Sequence, residues 1–182
     1  MNAYYYLISS LPTLSFKDGE TVPFTRESFL EAIKGFVPER DYKAIENIFD
    51  GKSVKRGFIK EYNRLSSSIE RALLYYRAKR LSIDDEKYAN ISGIDSDILS
   101  MAEKAVSNEN PYESELEVFG IYWKALDNLQ LNHFGDFLSL AVYALKLKLL
   151  FRKTSFNKQK GEEEAERLFA SYNVLEELLN EQ

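Results

Sequence analysis

The chain has 182 residues, 24 Lys and Arg against 29 Asp and Glu, a formal net charge of −5 and no cysteine. A chain of this length buries roughly 70% of the surface its unfolded form exposes, so it builds a core without disulfides or metals. Its 45% hydrophobic, 29% charged composition excludes a disordered or collagen-like polymer, and the missing cysteines exclude thiol catalysis and Cys-ligated zinc.

Residues 1–16 carry no charge, and Pro12 interrupts their apolar run, so the basic-then-apolar order of a secretory signal is absent. Tyr4-Tyr5-Tyr6-Leu7-Ile8 has strand-like composition, but a lone strand has nothing to pair with, and an irregular aromatic arm is expected. From there on Gly and Pro are scarce and apolar residues recur at three and four spacing, which predicts helices. Thr25 caps a first helix through Phe36, and Pro38 sits in the first turn of a second that Gly51 stops. The third, from about Arg56 to Arg80, places Phe58, Tyr62, Leu65, Ile69, Ala72, Leu73 and Tyr76 within roughly a 100° arc. Asp95 caps a fourth to about Val106. Asn110-Pro111 opens a fifth in which Tyr112, Leu116, Phe119, Trp123 and Leu126 share one face. A sixth, Phe134 to about Phe156, is apolar nearly all round and therefore central; its Lys146 and Lys148 and its length argue against a membrane span. After a polar break, a last amphipathic helix runs from about Glu162 to Leu179 with three Glu in its first turn.

The fold class read from this pattern is all-α, six to seven amphipathic helices in a bundle with an aromatic N-terminal arm. The chain forms a single helical domain over 1–182, divisible into sub-lobes 1–82 and 95–182 joined by an acidic connector. Glu61 and Arg77 are sixteen residues apart, as are Asp136 and Arg152. Antiparallel packing of the third and sixth helices would join Glu61 to Arg152 and Arg77 to Asp136.

Enzyme motifs are missing. Gly51-Lys52-Ser53 lacks the upstream glycine of a phosphate cradle and reads as a helix stop followed by a turn. His133 has no His or Cys partner and reads as a capping residue rather than a zinc ligand; the carboxylate runs Asp84-Asp85-Glu86 and Glu162-Glu163-Glu164 lack the spacing of a calcium loop. No catalytic residue, cofactor or metal is therefore assigned. Charge, by contrast, is segregated. Residues 52–80 hold nine bases and two acids, 84–117 hold ten acids and two bases, 146–160 hold six bases and no acid, and 161–182 hold seven acids and one base. On the third helix Arg56, Lys60, Arg64 and Arg71 line the side opposite the apolar arc. Such a stripe is a solvated face, neutralised by the protein's own acidic helices, or a docking strip for an acidic protein. Nucleic acid is disfavoured by a pI near 5.1.

The run Tyr4-Tyr5-Tyr6-Leu7-Ile8-Ser9-Ser10-Leu11-Pro12, with Asn110-Pro111-Tyr112-Glu113, Trp123, Asp127, Asp136-Phe137-Leu138 and Phe151-Arg152-Lys153, resembles a small bacterial family. That family is encoded among V/A-type ATPase genes and looks like a reduced relative of the C-type subunit of the central stalk, whose eukaryotic equivalent is the d-type subunit. The resemblance implies an all-helical, non-catalytic coupling component between rotor shaft and membrane ring. Its partners would be ATPase subunits, and it would be cytoplasmic and reach the membrane only through the complex. The C-type stalk protein proper has more helical lobes than this chain supplies. The competing reading from the residues is a helical bundle that encloses an apolar small molecule, or a helical enzyme, because surplus Phe and Tyr line cavities well.

Overall fold

Helix boundaries fall where capping chemistry sets them. The computed structural model describes residues 3–17, 21–52, 54, 57–83 and 90–155. These form seven helices and no strand: α1 Ala3–Ser10, α2 Arg26–Ile33, α3 Glu39–Asp50, α4 Gly57–Arg80, α5 Ser96–Ser107, α6 Pro111–Gln130 and α7 Phe137–Ser155. The all-α class is thus as the periodicity predicts. Thr25 closes a capping box with Ser28 at α2, Asp95 accepts from the Asp97 amide at α5, and Asn110 accepts from the amides of Tyr112 and Glu113 at α6. Gly51, in the left-handed conformation, ends α3. Arg80 on α4 donates to the carbonyl of Val106 at 2.5 Å, so a cation meets the negative end of α5. The predicted last helix, the connector residues 84–89 and Arg56 lie outside the described residues.

Three boundaries correct the sequence reading. The N-terminal arm is not irregular: residues 3–10 form α1, because Leu7 is buried and Tyr4, Ile8 and Leu11 pack on the same core beside α7. Tertiary packing overrides the β-propensity of the tyrosines. Pro38 is the N-cap rather than a first-turn residue, and α2 stops at Ile33, ahead of Gly35. α7 starts at Phe137 rather than Phe134, since Asn132 and Gly135 hold positive φ and Asp136 caps the helix through the Ser139 amide at 2.9 Å. Phe134 is left 77% exposed. Gly135 has no alternative side chain here: a Cβ would lie 3.0 Å from Tyr5, where α1 sits on the α6–α7 corner.

Two buried clusters share α4 and α6. The first joins Leu7, α2, α3 and α7 with Phe58 and Ile59 at the start of α4 and Leu126 near the end of α6. The second joins Ile69, Ala72 and Leu73 of α4 with Ala102 and Ala105 of α5 and Val118, Ile121 and Ala125 of α6. Leu126 therefore faces the start of α4 and Val118 its second half, so the two helices run antiparallel. Arg152 with Glu115 at 3.0 Å and Lys146 with Asp127 at 2.5 Å make α7 antiparallel to α6 as well. Hence α4 and α7 are parallel, which overturns the expected antiparallel pairing. Arg152 is taken by Glu115 and Asp136 by His133 at 2.5 Å, and neither predicted cross-helix pair forms.

Residues 11–17 cross α6 and α7 as a strap. Tyr143 donates to the Pro12 carbonyl at 2.8 Å and Lys153 to the Phe16 carbonyl at 2.5 Å. The Phe16 ring lies 5.3 Å from Trp123 and 4.3 Å from the Lys153 ammonium, while Lys146 covers the indole at 5.1 Å. Trp123 is therefore half-buried beneath the strap. Phe119 and Leu126 of its predicted face are buried, and Tyr112 and Leu116 are partly covered. α6 lies between α4 and α5 on one side and α7 on the other, so Ile121 and Ala125 are buried too and its apolar surface exceeds the single predicted face.

Candidate interaction surface

The long helix α4 presents three faces, because successive residues turn by about 100°. Ile69, Ala72 and Leu73 face the second cluster. Lys60, Arg64 and Arg71 fall within about 40° of one another, on the side away from that cluster. Lys60 and Arg64 are exposed and Arg71 is half-buried. The structure thus brings three of the four predicted basic residues onto one strip; the fourth, Arg56, lies outside the described residues. None of the three has an ion-pair partner among the described residues. Lys79, further along α4, reaches Glu103 of α5 at 3.9 Å, while Lys104 and Lys124 take Glu117 and Asp97 at 3.0 and 2.8 Å. Three acids of 95–117, Asp97, Glu103 and Glu117, are thus paired with lysines outside the strip.

The third face of α4 lines a groove that sequence reasoning missed. α4 and α7 meet at their starts, where Phe58 and Phe137 are 5.8 Å apart edge to face, and then diverge across α6. The groove between them has a volume of about 850 Å³. Its floor is Val118, Phe119, Tyr122 and Leu126 of α6; Ile59, Tyr62, Ser66 and Leu73 form one wall, Leu145 and Leu149 the other. The α3–α4 turn, with Gly51, Lys52 and Val54, closes the end where α4 begins. Arg77, Glu115 and Arg152 stand at the opposite end.

Burial pushes the phenols of Tyr62 and Tyr122 up, and the nearby Glu70 carboxylate adds to both; the Ser66 hydroxyl acts on Tyr122 in the other direction. Both rings are therefore neutral hydrogen-bonding groups at physiological pH. Burial pushes Lys148 down, opposed by Asp50, and its ammonium donates to the Ile48 carbonyl at 2.7 Å at the end of α3. Ser66 donates to Glu70 at 3.2 Å, one turn along α4. An apolar floor with charged ends is the chemistry of a binding groove. No signal along α4 alone marks it, since its volume comes from the angle between helices far apart in sequence.

Against family models, curated proteins and solved structures the chain gives no match. Functional assignment therefore rests on the residues themselves. Among the described residues no cluster of three or more His, Asp or Glu is arranged to hold a metal, and His133 sits against Asp136 at the start of α7. No helix among the described residues is long and apolar enough to cross a membrane.

Proposed function

We propose that the protein is a non-catalytic adaptor that docks an acidic protein partner along Lys60, Arg64 and Arg71 of α4. Its role is the one its sequence resemblance implies, a coupling component of a V/A-type rotary ATPase, similar to the C-type stalk protein and linking rotor shaft to membrane ring. The observation that carries the docking reading is the strip itself: three cations on one helix face, none within ion-pair distance of a carboxylate among the described residues. Such a strip raises the association rate with an anionic surface and loses that effect as salt screens it over about 10 Å at 0.1 M. Contact with the membrane runs through the complex, and nucleic acid has no part in this reading.

The test is a pull-down of V/A-type ATPase subunits by the full chain, with Lys60→Glu and Arg64→Glu combined as the comparison. Retention of the subunits at low salt, its loss at high salt, and its loss in the variant with unchanged helix content by circular dichroism are expected. Absence of the subunits from the eluate defeats the coupling role, and undiminished retention by the variant defeats the docking face. The groove favours a second reading, an apolar small-molecule site, which native mass spectrometry of the purified protein would reveal as a co-purified mass.

A further inference from the structure

Among the described residues, four of the eight large hydrophobic side chains left exposed gather at one corner: Tyr5 and Tyr6 on α1, and Leu131 and Phe134 in the turn between α6 and α7. A close contact joins the two halves. A Cβ on Gly135 would stand 3.0 Å from the Tyr5 backbone, so Tyr5 and Tyr6 on one side and Phe134 on the other are neighbours on the surface. Tyr5, Tyr6, Leu131 and Phe134 are 59, 63, 65 and 77% exposed. At roughly 200 Å² for a large side chain, they leave on the order of 500 Å² of mostly apolar surface in one place. Patches of this size on a single chain mark contact sites. We propose that the corner is a self-association surface whose occupant is the same corner of a second copy of the chain.

The patch is fixed before a partner arrives. Leu7, 2% exposed, anchors α1, and Asp136 holds the turn through His133 and the Ser139 amide. Asn132 at φ 67° and Gly135 at φ 143° set the backbone on either side of Phe134. A surface ordered in advance loses little entropy on contact. Charge selects the occupant. Segments 3–16 and 128–135 contain no Lys, Arg, Asp or Glu, so two copies bring no like charges of these segments together, although each chain carries a net −5. Peripheral membrane contacts set Lys or Arg beside the inserted aromatics, and neither segment has one, which disfavours a lipid surface. The two halves of the patch also suit a two-fold axis, which lays the tyrosines of one copy on Leu131 and Phe134 of the other and the reverse, the self-complementarity that a symmetric dimer requires. About 500 Å² from each copy totals about 1,000 Å², the lower edge of specific interfaces. That area suits a reversible dimer with a Kd on the order of 10 to 100 µM rather than an obligate one. The patch shares no residue with the docking strip on α4, so the inference stands or falls independently of it.

Sedimentation velocity of the full chain over a concentration series, about ten-fold below to ten-fold above that Kd range, tests the proposal. The weight-average mass is expected to rise from one chain to two. Phe134→Asp sets two carboxylates across the two-fold contact and is expected to weaken the dimer about ten-fold or more, with unchanged helix content by circular dichroism. Phe134→Ser, which adds no charge, is expected to weaken it less but in the same direction. Leu81→Asp, at a side chain 70% exposed outside the patch, is expected to leave the dimer unchanged. Added salt screens the repulsion between two chains of net −5 and is expected to preserve or strengthen the dimer, opposite to its effect on the docking strip. A chain that stays monomeric at the highest concentration would overturn the proposal, as would equal weakening by Leu81→Asp and Phe134→Asp. So would a monomer that binds neutral phosphatidylcholine vesicles and loses that binding in Phe134→Asp, which would assign the corner to a lipid surface.

Discussion

The two buried clusters hold their helices together by different means. The first is aromatic. Phe29, fully buried, touches Phe24 and Phe49 edge to face at 5.7 and 5.8 Å and stacks on Tyr143 at 5.5 Å, and Phe49 continues to Phe151 at 6.2 Å. Large rings fill the space between short elements, α1 to α3, and the length of α7, and hydrogen bonds from Tyr143 and Lys153 tie the strap over them. The second cluster is built on small residues. Ala72, Ala102 and Ala105 are fully buried and Ala125 nearly so, which lets α4, α5 and α6 approach closely. The contrast teaches why the groove exists: alanines pull α4 towards α5 and α6, while the aromatic cluster keeps α7 with α3, and α4 and α7 separate beyond Phe58 and Phe137.

Truncating the aromatic hub probes that contrast most strongly. Phe29→Ala is expected to cost about 3 to 5 kcal/mol, the usual range for a fully buried Phe, measured by urea unfolding. A cost under about 1 kcal/mol would mean that the first cluster collapses readily around a missing ring.

The opposite change suits the second cluster. Ala102→Leu adds bulk where helices are in close contact and is expected to cost about 1 to 3 kcal/mol by overpacking, with α4 displaced towards the groove. A neutral or stabilising result would show slack between α4, α5 and α6 and would remove the reason given for the splay.

The smallest effect lies at the corner that starts α7. Burial would raise the Asp136 carboxyl, but hydrogen bonds from His133 and from the Ser139 amide and hydroxyl outweigh it and hold the group below its ordinary 3.8. A carboxyl lowered by folding adds stability above its unfolded value and loses it as the pH falls through the folded one. Asp136→Ala is therefore expected to cost about 1 kcal/mol at neutral pH as a lost cap, with a shallower loss of stability than the parent below pH 3.8. Identical acid unfolding curves would show that the corner contributes nothing.

Part of this architecture is legible in the residues alone. Thr25, Asp95, Asn110 and Gly51 mark helix ends by local chemistry that needs no tertiary partner. The strip of Lys60, Arg64 and Arg71 is readable because angular position on a helix follows from spacing alone. α1 is the counter-example, although Tyr4, Leu7, Ile8 and Leu11 hold the i, i+3, i+4, i+7 pattern of a helix face. Three consecutive tyrosines look like a strand, and only the seat against α7 and Gly135 decides between the two.

The pairing of α4 with α7 shows the limit most clearly. Sixteen-residue spacings between Glu61 and Arg77 and between Asp136 and Arg152 permit an antiparallel match, and sequence offers no veto. What decides is that the buried residues Val118, Ile121, Ala125 and Leu126 of α6 pack into both clusters, which places α6 between the two long helices; the pairs Arg152–Glu115 and Lys146–Asp127 record the antiparallel register that leaves α4 and α7 parallel. The sequence by itself determined the helices, their caps, their apolar arcs and the segregation of charge, all of which arise from interactions within a few residues. Which helices become neighbours, how far α4 and α7 diverge and hence the groove between them were decided by the tertiary structure, because they depend on side-chain volumes meeting across distant segments.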